Sequence, residues 1–175
     1  MVDATGALAK KNGFAATGVD GLMAAAGLTS GAFYSHFSSK SELLQAIIKN
    51  ELARSSGLFS NKTVEQSVAA IEGYLSLDHV THPESGCAVP SLAPEISRSG
   101  EATQQVFEDG MIELKDQVNA LVHDDAKAWS IIAQLVGAVV VARGMHTESV
   151  RVALLEVVTQ RVTQILMNAP EHHPN

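Results

Sequence analysis

Cysteine is almost absent from this chain: Cys87 is the single one in 175 residues, so no internal disulfide can form. No apolar stretch near the start is bounded by a basic segment and a cleavage site, and the two absences together predict a reducing cytoplasm. Long apolar runs are also missing. The most apolar, Ile131 to Ala142, covers 12 residues and includes Gln134, whereas crossing a bilayer takes about 20. It is expected in a core or an interface, with no membrane partner. Catalytic equipment is equally scarce. No nucleophile has a linked base, no phosphate-cradling glycine loop is visible, and His79, His82 and Cys87 match no zinc spacing. A small-molecule enzyme is therefore the weakest reading, and neither cofactor nor metal is implied. Strand-like alternation of apolar and polar residues does not persist, and there is no internal repeat.

What the chain does have is charge asymmetry and helical periodicity. The formal net charge is −7, but residues 1–54 hold five basic and four acidic side chains, and residues 55–175 hold seven basic and fifteen acidic. A neutral-to-basic first part on an acidic second part suits a nucleic-acid binder that keeps most of its surface away from phosphate. The first helix is expected to carry Ala4, Ala7 and Leu8 on one face, with Lys10 and Lys11 in its last turn and Gly13 ending it. A second helix runs from near Gly18 to Gly27, and a third from about Ser30 to Phe37 with Thr29 as its N-cap. The fourth opens with Ser39 and Glu42 spaced as a capping box, continues through Leu43, Leu44, Ile47 and Ile48, and reaches Ser55 or Ser56. Helical patterns resume at about 63–77, 89–98, 101–122, 124–144 and 147–168.

The segment from Gly18 to Lys40, GVDGLMAAAGLTSGAFYSHFSSK, is the most informative. Two short helices joined at Gly27 make the plan of a helix-turn-helix unit, in which the second helix meets the major groove. Phe33 and Phe37, four apart, suit the supported face of that second helix. Gly31 and Ser35, flanked by Ala32 and Tyr34, form the opposite one, where small side chains permit close approach to base edges. Taken by spacing alone, the same pattern also fits a generic helical bundle. Gly13-Phe14, the run ATGVDGLMAAAGLTSGAFYSHF and the following SSKSELL together resemble the TetR/AcrR-type transcriptional regulators, over about the first 50 residues.

That resemblance implies an all-α protein. A three-helix DNA-binding head at 1–46 is joined by a fourth helix to a helical ligand-binding and dimerisation body at 47–170, with a tail at 171–175. It implies a palindromic double-stranded operator and a homodimer that represses and is released by a small molecule or a reactive electrophile. By position, Thr29, Ser30, Gly31, Ala32, Tyr34, Ser35, His36 and Lys40 match the DNA surface, with Tyr34, His36 and Lys40 toward phosphate and Ser30, Ala32 and Ser35 toward bases. Three positions and one missing element depart from the pattern. Gly18 stands where Ser or Thr usually caps the second helix, and Gly21 inside that helix costs about 1 kcal/mol relative to alanine. Ser30 stands where Lys or Arg is common, and no basic arm precedes the first helix. A helical protein-interaction module with weak or lost DNA binding therefore stays open as an alternative.

In the body, Ile131, Leu135, Val136, Val139 and Val140, with Val150, Leu154, Val157, Val158, Val162 and Ile165, form broad apolar faces at helical spacing. The resemblance implies that these last two helices build a four-helix dimer interface rimmed by Arg143, Arg151, Glu156 and Arg161, with Gly137 and Ala138 permitting close approach. Tyr74, Leu75, Leu92, Phe107, Met111 and Trp129 fall on helices expected to surround the effector pocket. Cys87, in HPESGCAVPSLAPE, lies in a loop entering a short helix. There a thiol can serve as a sensor, and the resemblance extends to a Gly-Cys element of family members that sense reactive compounds.

Overall fold

A computed structural model describes residues 1–168 and, among them, contains ten α-helices and no strand. The expected tail at 171–175 lies outside the described residues. In chain order the helices are α1 (Val2–Asn12), α2 (Val19–Ala25), α3 (Ser30–His36), α4 (Lys40–Ser56), α5 (Val64–Tyr74), α6 (Leu77–Thr81), α7 (Val89–Ile96), α8 (Glu101–Val122), α9 (Asp125–Gly144) and α10 (Glu148–Met167). They fall into two compact units. The first comprises Met1–Ser55 with His82–Met111, and the second Ser56–Thr81 with the chain from Ile112 onward.

The core of the first unit gathers Ala9, Leu22, Met23, Phe33, Leu43, Ile47 and Leu92, all essentially without solvent contact. α1 turns a different face inward from the one expected. Ala4, Ala7 and Leu8 are half-buried, and the buried positions are Thr5, Gly6, Ala9 and Lys10. The reason is electrostatic. Lys10 Nζ donates to Glu51 Oε2 on α4 at 2.8 Å and to the Gly86 carbonyl at 2.8 Å, and this pair rotates α1 so that a lysine points into the unit. α4 and α8 approach closely where Gly110 faces Leu52: a Cβ at that glycine would lie 2.5 Å from Leu52 Cδ1.

The second unit packs α9 against α10 and α6, and α10 against α5. The expected apolar run lies inside a 20-residue α9, which by length and mean hydropathy alone is long and apolar enough to cross a membrane. Its Ile131, Ile132, Leu135, Ala138, Val139 and Ala142 are buried within the protein, and Asp125, Lys127 and Arg143 lie along it. Arg143 donates to the His79 and Val80 carbonyls at 3.1 and 3.3 Å, and Arg151 donates to the Met145 carbonyl, so both arginines are held within this unit. A Cβ at Gly137 would meet nothing within 4 Å in the protomer.

Candidate nucleic-acid interface

The head is positioned by two left-handed glycines. After α2, Gly27 takes φ +69°, its N–H donates to the Ala24 carbonyl at 3.0 Å, and the Leu28 N–H donates to the Met23 carbonyl at 2.9 Å. These paired bonds close α2 in a Schellman motif and send the chain sharply into α3, a geometry that an L side chain resists. After α1, Gly13 also takes a positive φ, +84°, and its N–H donates to the Ala9 carbonyl at 2.9 Å, so that a glycine again turns the chain out of a helix.

α3 then has an inner and an outer face. Phe33 is buried, with Tyr34 and Phe37 ring centroids 5.1 and 5.9 Å from it. Thr29, Gly31, Tyr34, Ser35 and His36 are exposed, while Ser30, Ala32 and Lys40 are half-buried. Tyr34 projects with 72% of its surface exposed, although its ring edge still touches Phe33. Thr29 occupies the N-cap position with extended backbone, but its side chain makes no cap bond. Ser30 Oγ instead donates to Asp20 on α2, and Ser35 Oγ donates to the Ala32 carbonyl at 2.7 Å. Both hydroxyl protons are thus engaged, leaving oxygen lone pairs as acceptors toward a ligand.

The start of α4 differs in detail from a capping box. Ser39 Oγ accepts from the Glu42 N–H at 3.2 Å as expected, but the Glu42 carboxylate reaches the Ser38 N–H and hydroxyl, each at 2.7 Å. The Ser38 hydroxyl and N–H hold the Glu42 carboxyl below its usual range. Lys40 Nζ lies 4.7 Å from the centre of the Phe14 ring and donates to the Ala15 carbonyl at 3.3 Å. Glu95 of α7 grips the same turn from another side, its two oxygens accepting from the Phe14 and Ala15 N–H groups at 3.0 and 2.6 Å. No feature of the sequence pattern marked Glu95; a carboxylate answering two backbone donors some eighty residues away becomes visible only in the fold.

The residues expected around an effector are shared between the two units. Leu92, Phe107 and Met111 belong to the first, and Tyr74, Leu75 and Trp129 to the second. Phe107 lines a small cavity with Ile48, Leu52, Ala88, Val89 and Ile96. Leu75 lines an open groove of about 410 Å³ with Glu72, Leu77, Val152, Leu155, Glu156, Thr159 and Gln160. Trp129 is 42% exposed on α9. Cys87 is half-buried just before the Ala88 N-cap of α7, and the Ser55 hydroxyl lies 3.4 Å from its sulfur. His79 is turned toward its own unit, Nδ1 lying 2.6 Å from the Tyr74 carbonyl. Among the described residues no group of His, Cys, Asp or Glu is arranged to hold a metal ion.

Residues 1–47 match the family model for bacterial regulatory proteins of the tetR family. No curated protein matches the sequence. Among solved structures, the fold is similar to reduced NemR from E. coli, with a TM-score of 0.79 and 20% identity over 98% of this chain and 97% of that one. It is also similar to a TetR transcriptional regulator from Legionella pneumophila, with a TM-score of 0.77 and 17% identity over 94% of each chain. A third similar structure is the regulator FadR from Bacillus subtilis in complex with stearoyl-CoA, with a TM-score of 0.68 and 15% identity over 97% of each chain.

Proposed function

We propose, for a chain that carries the head and the all-helical fold of the TetR family of bacterial regulatory proteins, a homodimeric repressor released from a palindromic operator by a small molecule or an electrophile. The reading as a DNA-binding transcriptional regulator rests on that head, and the observation that supports the rest is the outer face of α3. That face offers small side chains, a projecting Tyr34 and an exposed His36 on a helix fixed by the Gly27 turn. We take residues 1–46 as the reading head and 47–170 as the regulatory body. In the reading, Tyr34, His36 and Lys40 meet phosphate, and Ser30, Ala32 and Ser35 meet bases, with Thr29 and Gly31 at the approach.

Dimerisation is supported by an uncovered apolar stripe. On α9, Trp129, Gly137, Val140 and Val141 recur at helical spacing, and Val140 and Val141 are about half exposed; Val150 and Val157 on α10 are exposed as well. A second copy would cover them, and two heads at fixed spacing supply the specificity that one seven-residue α3 lacks. Ile131, Leu135, Val139 and Val162, by contrast, serve the protomer's own core. The effector is placed in the body, with Leu92, Phe107 and Met111 as candidate contacts in the first unit and Tyr74 and Leu75 in the second, while Trp129 belongs to the uncovered stripe. Cys87 is the candidate thiol sensor: it follows Gly86, whose carbonyl is held by Lys10 of α1, so a modified thiol would pull on the head. Such a protein works in the cytoplasm without catalysis.

The test is selection of duplexes from a random pool followed by salt-titrated gel shift. Recovery of a palindrome bound with a steep salt dependence is expected; recovery of no preferred sequence at low salt favours the interaction-module alternative. Electrophile-driven release that persists unchanged in Cys87→Ser would refute the sensor role.

A further inference from the structure

We propose that the DNA contact surface continues past the head onto the end of α7, where Arg98 joins Lys40 to hold a backbone phosphate; this rests on the DNA-binding reading above. Within the first unit a cleft of about 360 Å³ has Phe14, Lys40, Ser41, Leu44, Glu95 and Arg98 among its walls. Arg98 is the one cation between residues 82 and 111, a stretch that also holds Glu84, Glu95, Glu101, Glu108 and Asp109. Although exposed, it is set in place by its backbone. The Arg98 N–H donates to the Glu95 carbonyl at 3.1 Å and the Ser99 N–H to the Ile96 carbonyl at 3.0 Å, so the turn prolongs α7.

Neither of the two carboxylates three residues away, Glu95 and Glu101, claims it. Glu95 accepts from the Phe14 and Ala15 N–H groups, and Arg98 forms no side-chain hydrogen bond or ion pair among the described residues. Those Glu95 bonds also fix the end of α7 against the turn on which Lys40 rests. Lys40 for its part is held only by a carbonyl at 3.3 Å and a ring face at 4.7 Å. Two cations therefore share a cleft with one carboxylate that is occupied by neutral donors, and the surplus charge favours an anion.

The anion is a duplex phosphate because of where the cleft lies along the chain. Three residues separate His36, the end of α3, from Lys40, the start of α4. A strand laid along the outer face of α3 reaches Lys40 and then Arg98, whose planar guanidinium fork suits phosphate oxygens.

The test compares wild type with Arg98→Ala and Arg98→Lys, each first checked for an unchanged melting temperature. Binding to a random-sequence duplex of about 30 base pairs and to the selected palindrome is followed by fluorescence anisotropy between about 50 and 200 mM KCl. Arg98→Ala is expected to weaken both duplexes alike, roughly three- to tenfold at low salt, and to lower the salt slope by about 0.9 per protomer; Arg98→Lys keeps most of the slope. An unchanged slope in Arg98→Ala overturns the proposal. So does a loss confined to the palindrome, or an Arg98-dependent thermal shift with inorganic phosphate while the DNA slope is untouched, which would make the cleft a small-anion site. Wild type that binds neither duplex removes the DNA-binding reading itself, an outcome distinct from wild type that binds and a variant that matches it.

Discussion

Removing the Lys10 ammonium is expected to destabilise the protein far more than removing any other cation of the first unit. The side chains of Lys10 and Glu51 are 1% and 3% exposed, and they meet at 2.8 Å. Substituting Lys10 by Met keeps the volume and deletes the charge. Glu51 then retains only Arg54, at 3.4 Å and with a side chain 59% exposed, as a cationic partner. A buried carboxylate left so poorly matched costs about 3–5 kcal/mol. The Lys11–Glu84 pair makes an internal control: its side chains are 57% and 32% exposed, and pairs of that kind contribute about 0–1 kcal/mol. Glu51→Gln should be milder than Lys10→Met, because the amide oxygen still accepts from the ammonium and the Gly86 carbonyl remains a second acceptor.

Urea unfolding at one protein concentration, read as a shift in midpoint with unchanged slope, measures these differences. The double substitution Lys10→Met with Glu51→Leu should recover much of the loss, because apolar residues of similar size replace a buried pair at little cost. A loss below about 1 kcal/mol for Lys10→Met, or a double variant no better than the single one, would refute the argument that the pair is sealed from water.

Three further outcomes are expected. Val140→Arg, placed at a side chain 46% exposed in the protomer, should leave the melting of the isolated fold nearly unchanged while converting a dimer to monomers in sedimentation and weakening palindrome binding by roughly a hundredfold; a variant that still sediments as a dimer removes α9 from the interface. Gly110→Ala sets a methyl group 2.5 Å from Leu52 Cδ1 and 3.1 Å from its Cβ, so overpacking of about 1–3 kcal/mol should outweigh the helical gain of about 1 kcal/mol from replacing glycine. A stabilised Gly110→Ala would mean that α4 and α8 separate freely. Because the folded Glu42 carboxyl lies below its ordinary value of 4.5, its contribution is present above that pH and fades as acid carries it through the folded value; Glu42→Gln should flatten the acid limb of the melting temperature, and an identical limb excludes Glu42 as its source.

The sequence announces its helices wherever the periodicity is long or the punctuation chemical. α8 and the opening of α9 fall where the pattern places them, and Gly27 marks the α2–α3 turn because only a left-handed residue closes that helix. The five-residue α6 is too short to show a period, so residues 78–81 fall beyond the 63–77 pattern and read as loop until the packing of Leu77–Thr81 against α9 is seen. A Thr63–Gln66 capping box opens α5 where the 63–77 pattern begins. Long-range polar contacts are the illegible part. Lys10 looks like a surface residue of a last helical turn, and its burial follows from a carboxylate forty-one positions away. Arg98 looks like any solvated arginine until Glu95 ties its turn to Phe14 and Ala15. The candidate effector residues are obscure for another reason: apolar side chains at helical spacing serve a core and a pocket equally well, and spacing does not separate Leu92, fully buried, from Trp129, 42% exposed.

The same polar contacts change what the charge of the head means for DNA. Of the five cations in the first 54 residues, Lys10 and Arg54 both answer Glu51 and Lys11 answers Glu84, which leaves Lys40 and Lys49 facing no carboxylate among the described residues. The surplus positive charge is thus concentrated at Lys40 and Lys49, the other three basic side chains each lying against a carboxylate, although only Lys10 joins one helix to another through it. Long-range attraction to a duplex is correspondingly weak, and screening at physiological salt, with a Debye length of about 8 Å, reduces it further. In the proposed DNA-binding reading, binding then depends on contacts made after encounter: the Gly27 turn that sets α3, the short side chains that admit a close approach, and Lys40 held lightly enough to exchange a ring face and a carbonyl for a phosphate. In the proposed dimer, two such heads at fixed spacing would compensate for the small charge of each, which would make the uncovered stripe on α9 as important to recognition as α3.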